Sequence, residues 1–167
     1  CLMADPDLVA RCVEAMGQAS ALPVTVKHRI GIDELDNDTL LTAFVDRVAE
    51  AGAQRFSVHA RKAWLEGLDP KQNRTIPPLQ HDRVVALKQR RPELLIELNG
   101  GLETPADCLL ALDECDGAMV GRAAYAHPLR WADMDHLIYG EAPRQLLASD
   151  VVEGLIPHAA QHLHRGG

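Results

Sequence analysis

The chain has 167 residues, 47% hydrophobic and 25% charged, the balance of a soluble globular domain large enough for a real core. It contains no apolar run near the ~20 residues needed to cross a bilayer, and no signal-peptide pattern opens it. A net charge of −7 argues against a surface given over to nucleic acid, so any RNA contact must come from a local patch.

The first residue is Cys1 rather than Met, and the chain enters at once into an amphipathic segment, so its start reads as an internal cut. Asp5 is the expected N-cap and Pro6 the first turn of a helix with Leu8, Val9, Cys12, Val13 and Met16 on its apolar face. Four short β-branched or apolar segments follow at Pro23–Lys27, Arg55–His59, Leu94–Asn99 and Gly117–Gly121, each bounded by Gly, Pro or charged turns. Between them, Leu40, Leu41, Phe44, Val45 and Val48 recur at helical spacing and end near Gly52. Val84, Val85, Leu87 and Lys88 precede the breaker Pro92, and Ala106, Leu109, Leu110 and Leu112 follow the cap Thr104-Pro105. Asp33, Glu34, Asp36 and Asp38 form an acidic run read as a solvated loop capping the next helix. The tail from about Met134 is helical, with Ile138-Tyr139-Gly140 closing one helix, Val151 to Leu163 amphipathic, and Arg165-Gly166-Gly167 at the end.

Strict alternation of strand and helix predicts parallel strands with crossover helices. No Gly-rich phosphate turn follows the first strand, which argues against an open dinucleotide-binding sheet. A complete (β/α)8 barrel needs roughly 250 residues. The expectation is therefore α/β, the C-terminal half of a TIM barrel over residues 1–133 with about four parallel strands, and the start of a helical domain over 134–167. Half a barrel leaves two open sheet edges and, by expectation, an exposed apolar interior, so it could pair with a second copy.

In such a barrel the chemistry lies at the carboxyl ends of the strands. Lys27 with His28 and Arg29, His59 with Arg61 and Lys62, Asn99-Gly100-Gly101, and Gly121-Arg122 occupy those ends in turn. Taken alone, such a Lys is more often a solvated or salt-bridged charge, such a His usually structural, and such glycines often only turn residues. Together, glycines that let the backbone approach and an arginine with paired donors make a phosphate site, and a cation and an imidazole could hold the polar edge of a flat cofactor. His158 and His162 share a helix face but lack a third ligand, so no metal site is expected.

The stretches Val24–Asp33, Val58–Leu68, Pro70–Leu79, Leu98–Gly101 and Met119–Tyr125 resemble the tRNA-dihydrouridine synthases. The His-Ala-Arg-Lys-Ala-Trp-Leu and Pro-Lys-x-Asn-Arg blocks point to the A-type subfamily. The resemblance covers most of residues 1–140 and implies an FMN-binding barrel followed by a helical tRNA-binding domain. It implies FMN contacts at Lys27, His59, Asn99, Gly100, Gly101, Gly121 and Arg122. The implied reaction is reduction of uridine at positions 20/20a in the tRNA D-loop. NADPH reduces FMN, the flavin delivers hydride to C6 of a flipped-out base, and a cysteine protonates C5. That cysteine belongs to an Asn-x-Gly-Cys-Pro block expected upstream of Cys1, and none of the four cysteines has this context. The fragment is accordingly expected to be inactive alone.

Family tRNA contacts match Lys71 and Arg74, and Arg61 and Lys62 join them in a locally positive loop of about twenty residues without clear periodicity. Trp64 is expected to anchor this loop by packing rather than to stack on a base. Cysteines without pairing and a tRNA substrate suit the reducing cytoplasm. Two other readings stay open: a non-catalytic fragment that binds RNA or phosphorylated ligands, and a related flavin barrel reductase acting on a small molecule.

Overall fold

The computed structural model of the chain describes residues 1–164; the terminal Arg165-Gly166-Gly167 lies outside the described residues. The element order is α1 (Pro6–Ala19), β1 (Thr25–Arg29), α2 (Asp38–Glu50), β2 (Arg55–His59), α3 (His81–Arg90), β3 (Leu95–Asn99), α4 (Pro105–Glu114) and β4 (Gly117–Met119), then α5 (Arg122–Ala126), α6 (Met134–Tyr139) and α7 (Ala148–His164). The helix starts follow their capping chemistry. Asp5 accepts from Leu8 N at 2.9 Å, Asn37 accepts from Leu40 N at 2.9 Å, and Thr104 with Asp107 forms a reciprocal capping box.

The four strands are parallel and lie in chain order, β1-β2-β3-β4. An open doubly wound sheet would reverse that order at a switch point, and this one does not. The arrangement is α/β with the topology of a partial TIM barrel. The register sets Lys27 beside Ser57, Ser57 beside Glu97 and Glu97 beside Gly117, with His59 beside Asn99 one step toward the carboxyl ends.

Strand alternation then gives the sheet two unlike faces. Val26, His28, Phe56, Val58, Ile96 and Leu98 share the face covered by helices, where Phe44, Val45, Val48, Val84 and Leu87 complete a buried core. The other face carries Lys27, Arg29, Arg55, Ser57, His59, Glu97 and Asn99. The expected apolar interior is thus corrected: the open face is mainly polar, with Leu95 and Met119 also on it. Ser57 Oγ donates to Glu97 Oε2, and Arg55 Nε lies 3.5 Å from Glu97 Oε1. Gly117 makes room for that carboxylate, since a Cβ there would sit 2.8 Å from Glu97 Cγ.

The first strand begins two residues later than the sequence suggests, and the buried face of α1 is Ala10 and Val13, with Met16 and Cys12 exposed. The helix packs on α2, and its exposed Asp7 pairs with Arg47 of that helix at 2.5 Å.

Cys1–Val120 forms one compact unit and the residues from Gly121 onward another. Within the second, α6 stops at Gly140 (φ 69°), whose N–H donates to His136 O, and Arg144 pairs with Asp135 at 3.5 Å. α7 contains Pro157 and leaves Val152, Leu155, Ile156 and Leu163 exposed. Among the described residues no helix is long and apolar enough to cross a membrane.

Candidate active site

Three consecutive basic residues at the end of β1 meet three environments. Lys27 points to the open face and reaches across β2 to β3, where its Nζ donates to Asn99 Oδ1 at 3.0 Å. Burial, and then the neighbouring Arg29 charge, hold its pKa below the ordinary lysine value. His28 points into the core, with its ring 5.0 Å from Phe44 and 6.0 Å from Phe56, and its Nδ1 lies 2.7 Å from Arg29 O. Its Nε2 is buried without a hydrogen-bond partner, and desolvation pulls its pKa down to about 4, so it is neutral at physiological pH. Arg29 donates from Nη1 to the carbonyls of Lys62 (3.0 Å) and Asn73 (2.8 Å).

The end of β3 is fixed as tightly. Asn99 accepts from Lys27 and donates from Nδ2 to Met119 O at 2.7 Å, while its own carbonyl accepts from Ala60 N at 2.8 Å. Gly100 and Gly101 follow with φ of 109° and 72°, a left-handed turn that side chains resist. A Cβ on Gly100 would stand 3.3 Å from the His59 ring, and one on Gly101 would strike Leu79. His81 Nε2 lies 2.7 Å from Gly100 O and pins the turn from α3. An ammonium, an imidazole, a carboxamide and a bare-backbone turn therefore meet at the carboxyl ends of β1, β2 and β3. This donor-rich polar floor, beside a turn from which side chains are excluded, fits a flat, phosphate-bearing group such as FMN. In the second unit, Gly121 caps α5, with open space where a Cβ would stand, and Arg122 begins that helix.

The loop from Ala60 to Gln80 is built around Asn73, a buried residue. Its Oδ1 accepts from Trp64 N at 2.8 Å, and its Nδ2 donates to Trp64 O at 2.7 Å and Leu68 O at 3.2 Å. Asp69 caps the short turn Gln72–Arg74 through the N–H groups of Lys71 and Gln72, both at 2.7 Å. Lys71 and Arg74 stand exposed on this frame. Arg61 and Lys62 are turned inward: Arg61 Nη1 donates to Pro77 O, and Lys62 Nζ lies 3.2 Å from Asp36 and 3.9 Å above the Trp64 ring. Trp64 packs in the loop, half-buried beneath that ammonium.

The acidic run after β1 is a set of internal anchors more than a solvated loop. Asp33, at φ 42°, accepts from Leu65 N at 2.8 Å, and Asp36 joins Lys62 to Arg83, the latter at 2.5 Å. Sequence reasoning gave Asn73 and Arg83 no role and read Asp36 as part of a solvated run. The available signal for Asn73 was its place inside the Pro-Lys-x-Asn-Arg block; the Asp36–Arg83 pair, 47 residues apart, left none. Cys108 and Cys115 are buried, and burial raises both thiols, Cys115 to about 11, which makes them poor proton donors near neutral pH.

The family model for Dihydrouridine synthase (Dus) matches residues 1–166. The chain is 51% identical over 166 residues to a tRNA-dihydrouridine(20/20a) synthase of Synechocystis sp., covering 99% of this chain and 50% of that protein. It is 48% identical over 167 residues to the enzyme of that name from Shewanella oneidensis, covering 100% and 50%. Against the Pasteurella multocida protein it is 47% identical over 166 residues, covering 99% and 51%. The chain thus spans about half the length of the curated relatives it matches. It belongs to the dihydrouridine synthase family, in its A-type branch.

Proposed function

We propose that this chain is the cofactor-holding and substrate-gripping part of a flavin-dependent tRNA-dihydrouridine synthase that reduces D-loop uridine at positions 20/20a. The observation that carries the reading is the Lys27–Asn99 bridge beside the Gly100-Gly101 turn, with His59 against it. Lys27 and His59 would hold the polar edge of FMN, and Asn99, Gly100 and Gly101 its phosphate side. Gly121 and Arg122 enter the proposal on the sequence reading of a phosphate site and on the family resemblance. When bound, FMN supplies the hydride, itself replenished from NADPH.

The chain's own residues bind, orient and fix charge. Asn99 keeps one amide orientation because both its ends are engaged, so Lys27 is held where its ammonium would stabilise negative charge on a bound flavin. None of the four cysteines lies in an Asn-x-Gly-Cys-Pro context, so protonation of C5 is assigned to a cysteine outside these 167 residues. Alone, the chain should not turn over. Lys71 and Arg74 would meet tRNA phosphates, with Arg61 and Lys62 contributing charge from behind the loop. Residues 134–167 would begin the helical tRNA-binding domain, in a cytoplasmic protein. Among the described residues β1 and β4 each pair on one side only, which supports closure by further strands, from the rest of the barrel or from a second copy.

Two titrations test the reading. FMN fluorescence should be quenched saturably by the chain and less by Asn99→Leu; equal quenching by both would remove the site from these strand ends. Binding of unmodified tRNA should weaken with salt, and Lys71→Ala and Arg74→Ala should each reduce the log–log slope by about one. A slope unchanged by both substitutions would favour a flavin reductase acting on a small molecule.

A further inference from the structure

Beside the strand ends, the loop borders an open, shallow cleft of about 450 Å³ lined by Arg29, Trp64, Leu65, Leu68, Pro70 and Arg74, with Asn73 among them. That volume lies in the ~300–1,000 Å³ range of small-ligand pockets. Its chemistry is two-sided. One wall is apolar and aromatic, and Leu65 stands 49% exposed on it. The other is cationic, and no carboxylate lines the cleft. Arg29 is held in place by two backbone carbonyls, which orient its guanidinium without neutralising its charge. Arg61 and Arg74 lie within electrostatic reach of it, and a cluster of guanidiniums facing an apolar wall lowers its energy by receiving an anion attached to a flat, weakly polar body.

We propose that this cleft receives one unstacked nucleotide of the RNA strand, adjacent to the nucleotide presented to the strand ends, with its base on the Trp64–Leu68 wall and its phosphate on Arg29 and Arg74. The inference rests on the RNA-binding reading above and adds a second recognition point to it. Asn73 holds both walls at once, because it fixes Trp64 and Leu68 through its side chain and Arg29 through its carbonyl. Lys62 covers the Trp64 ring from outside the cleft lining, which keeps the indole in one orientation.

The test is a short single-stranded RNA carrying 2-aminopurine at successive positions, titrated into the full chain, with uridine monophosphate, inorganic phosphate and polyglutamate in parallel. One position should show a distinct fluorescence change. Leu65→Glu and Pro70→Glu, both on exposed residues, should each weaken RNA binding about tenfold while leaving FMN quenching and the melting temperature unchanged. RNA affinity undiminished in both variants would overturn the cleft and leave the RNA reading standing. Polyglutamate binding as tightly as RNA, or phosphate and mononucleotide binding as tightly as the strand, would overturn it as well, by showing a general anion surface. If the wild-type chain binds no RNA, both readings fall together.

Discussion

The two faces of the sheet use the same five-residue strands for opposite purposes. On the covered face, Phe56, Val58, Ile96 and Leu98 are almost fully buried, and even its one imidazole, His28, is held neutral between phenylalanines. On the open face, Lys27 pairs with Asn99, and Arg55 and Ser57 both meet Glu97, in a polar layer with part of its surface in solvent. Alternate residues of one strand therefore answer to different demands, burial on one side and ligand chemistry on the other. Lys27 and His28, adjacent in sequence and both basic, are the sharpest case: one is a candidate ligand and the other is core.

Substitutions on the covered face should cost stability. Phe56→Ala removes a fully buried ring and should destabilise the chain by about 3–5 kcal/mol, read as a lower denaturation midpoint; a midpoint matching wild type would mean that the core can collapse around the gap. His28 makes the same face sensitive to pH. Its folded pKa is about 4 and its unfolded value 6.5, so between them the unfolded chain binds a proton that the folded chain does not. Stability should be full above pH 6.5 and fall as the pH drops through that window, by on the order of 3 kcal/mol. His28→Leu should flatten this slope, and a slope that survives would assign it to other groups.

The loop should respond locally. Asn73→Ala strands buried donors and acceptors at Trp64 and Leu68, worth about 2 kcal/mol, and should open residues 64–73 to protease while the strands stay protected from hydrogen exchange. Smallest of all, Lys71→Ala should change thermal stability by less than about 0.5 kcal/mol and act only on tRNA binding and its salt slope.

How much of this was legible in the sequence follows from the range of the interactions. β2 was readable to the residue because Arg55–His59 is flanked by glycine and charged turns, and the α4 cap because Thr104, Pro105 and Asp107 are neighbours. Strand order, and the polarity of the open face, depend on register between segments 20 to 40 residues apart, and residue types alone did not separate an apolar interior from the Ser57–Glu97–Arg55 layer. The strand-end residues could be picked out one by one, but the bridge from Lys27 to Asn99 skips a strand and exists only once the sheet has formed. The same holds for Asp36, which its place in an acidic run puts in solvent and Lys62 and Arg83 draw inward.

The division between the faces can be tested on one residue. Lys27→Ala should be measured for FMN quenching and for thermal midpoint in the same preparation. The account predicts that flavin affinity falls by tenfold or more, as expected for removal of a charged hydrogen-bond donor worth about 1.5–3 kcal/mol, while the midpoint stays close to wild type. Loss of stability with flavin affinity intact would contradict it, because Lys27 would then be part of the scaffold and the cofactor would have to be held elsewhere.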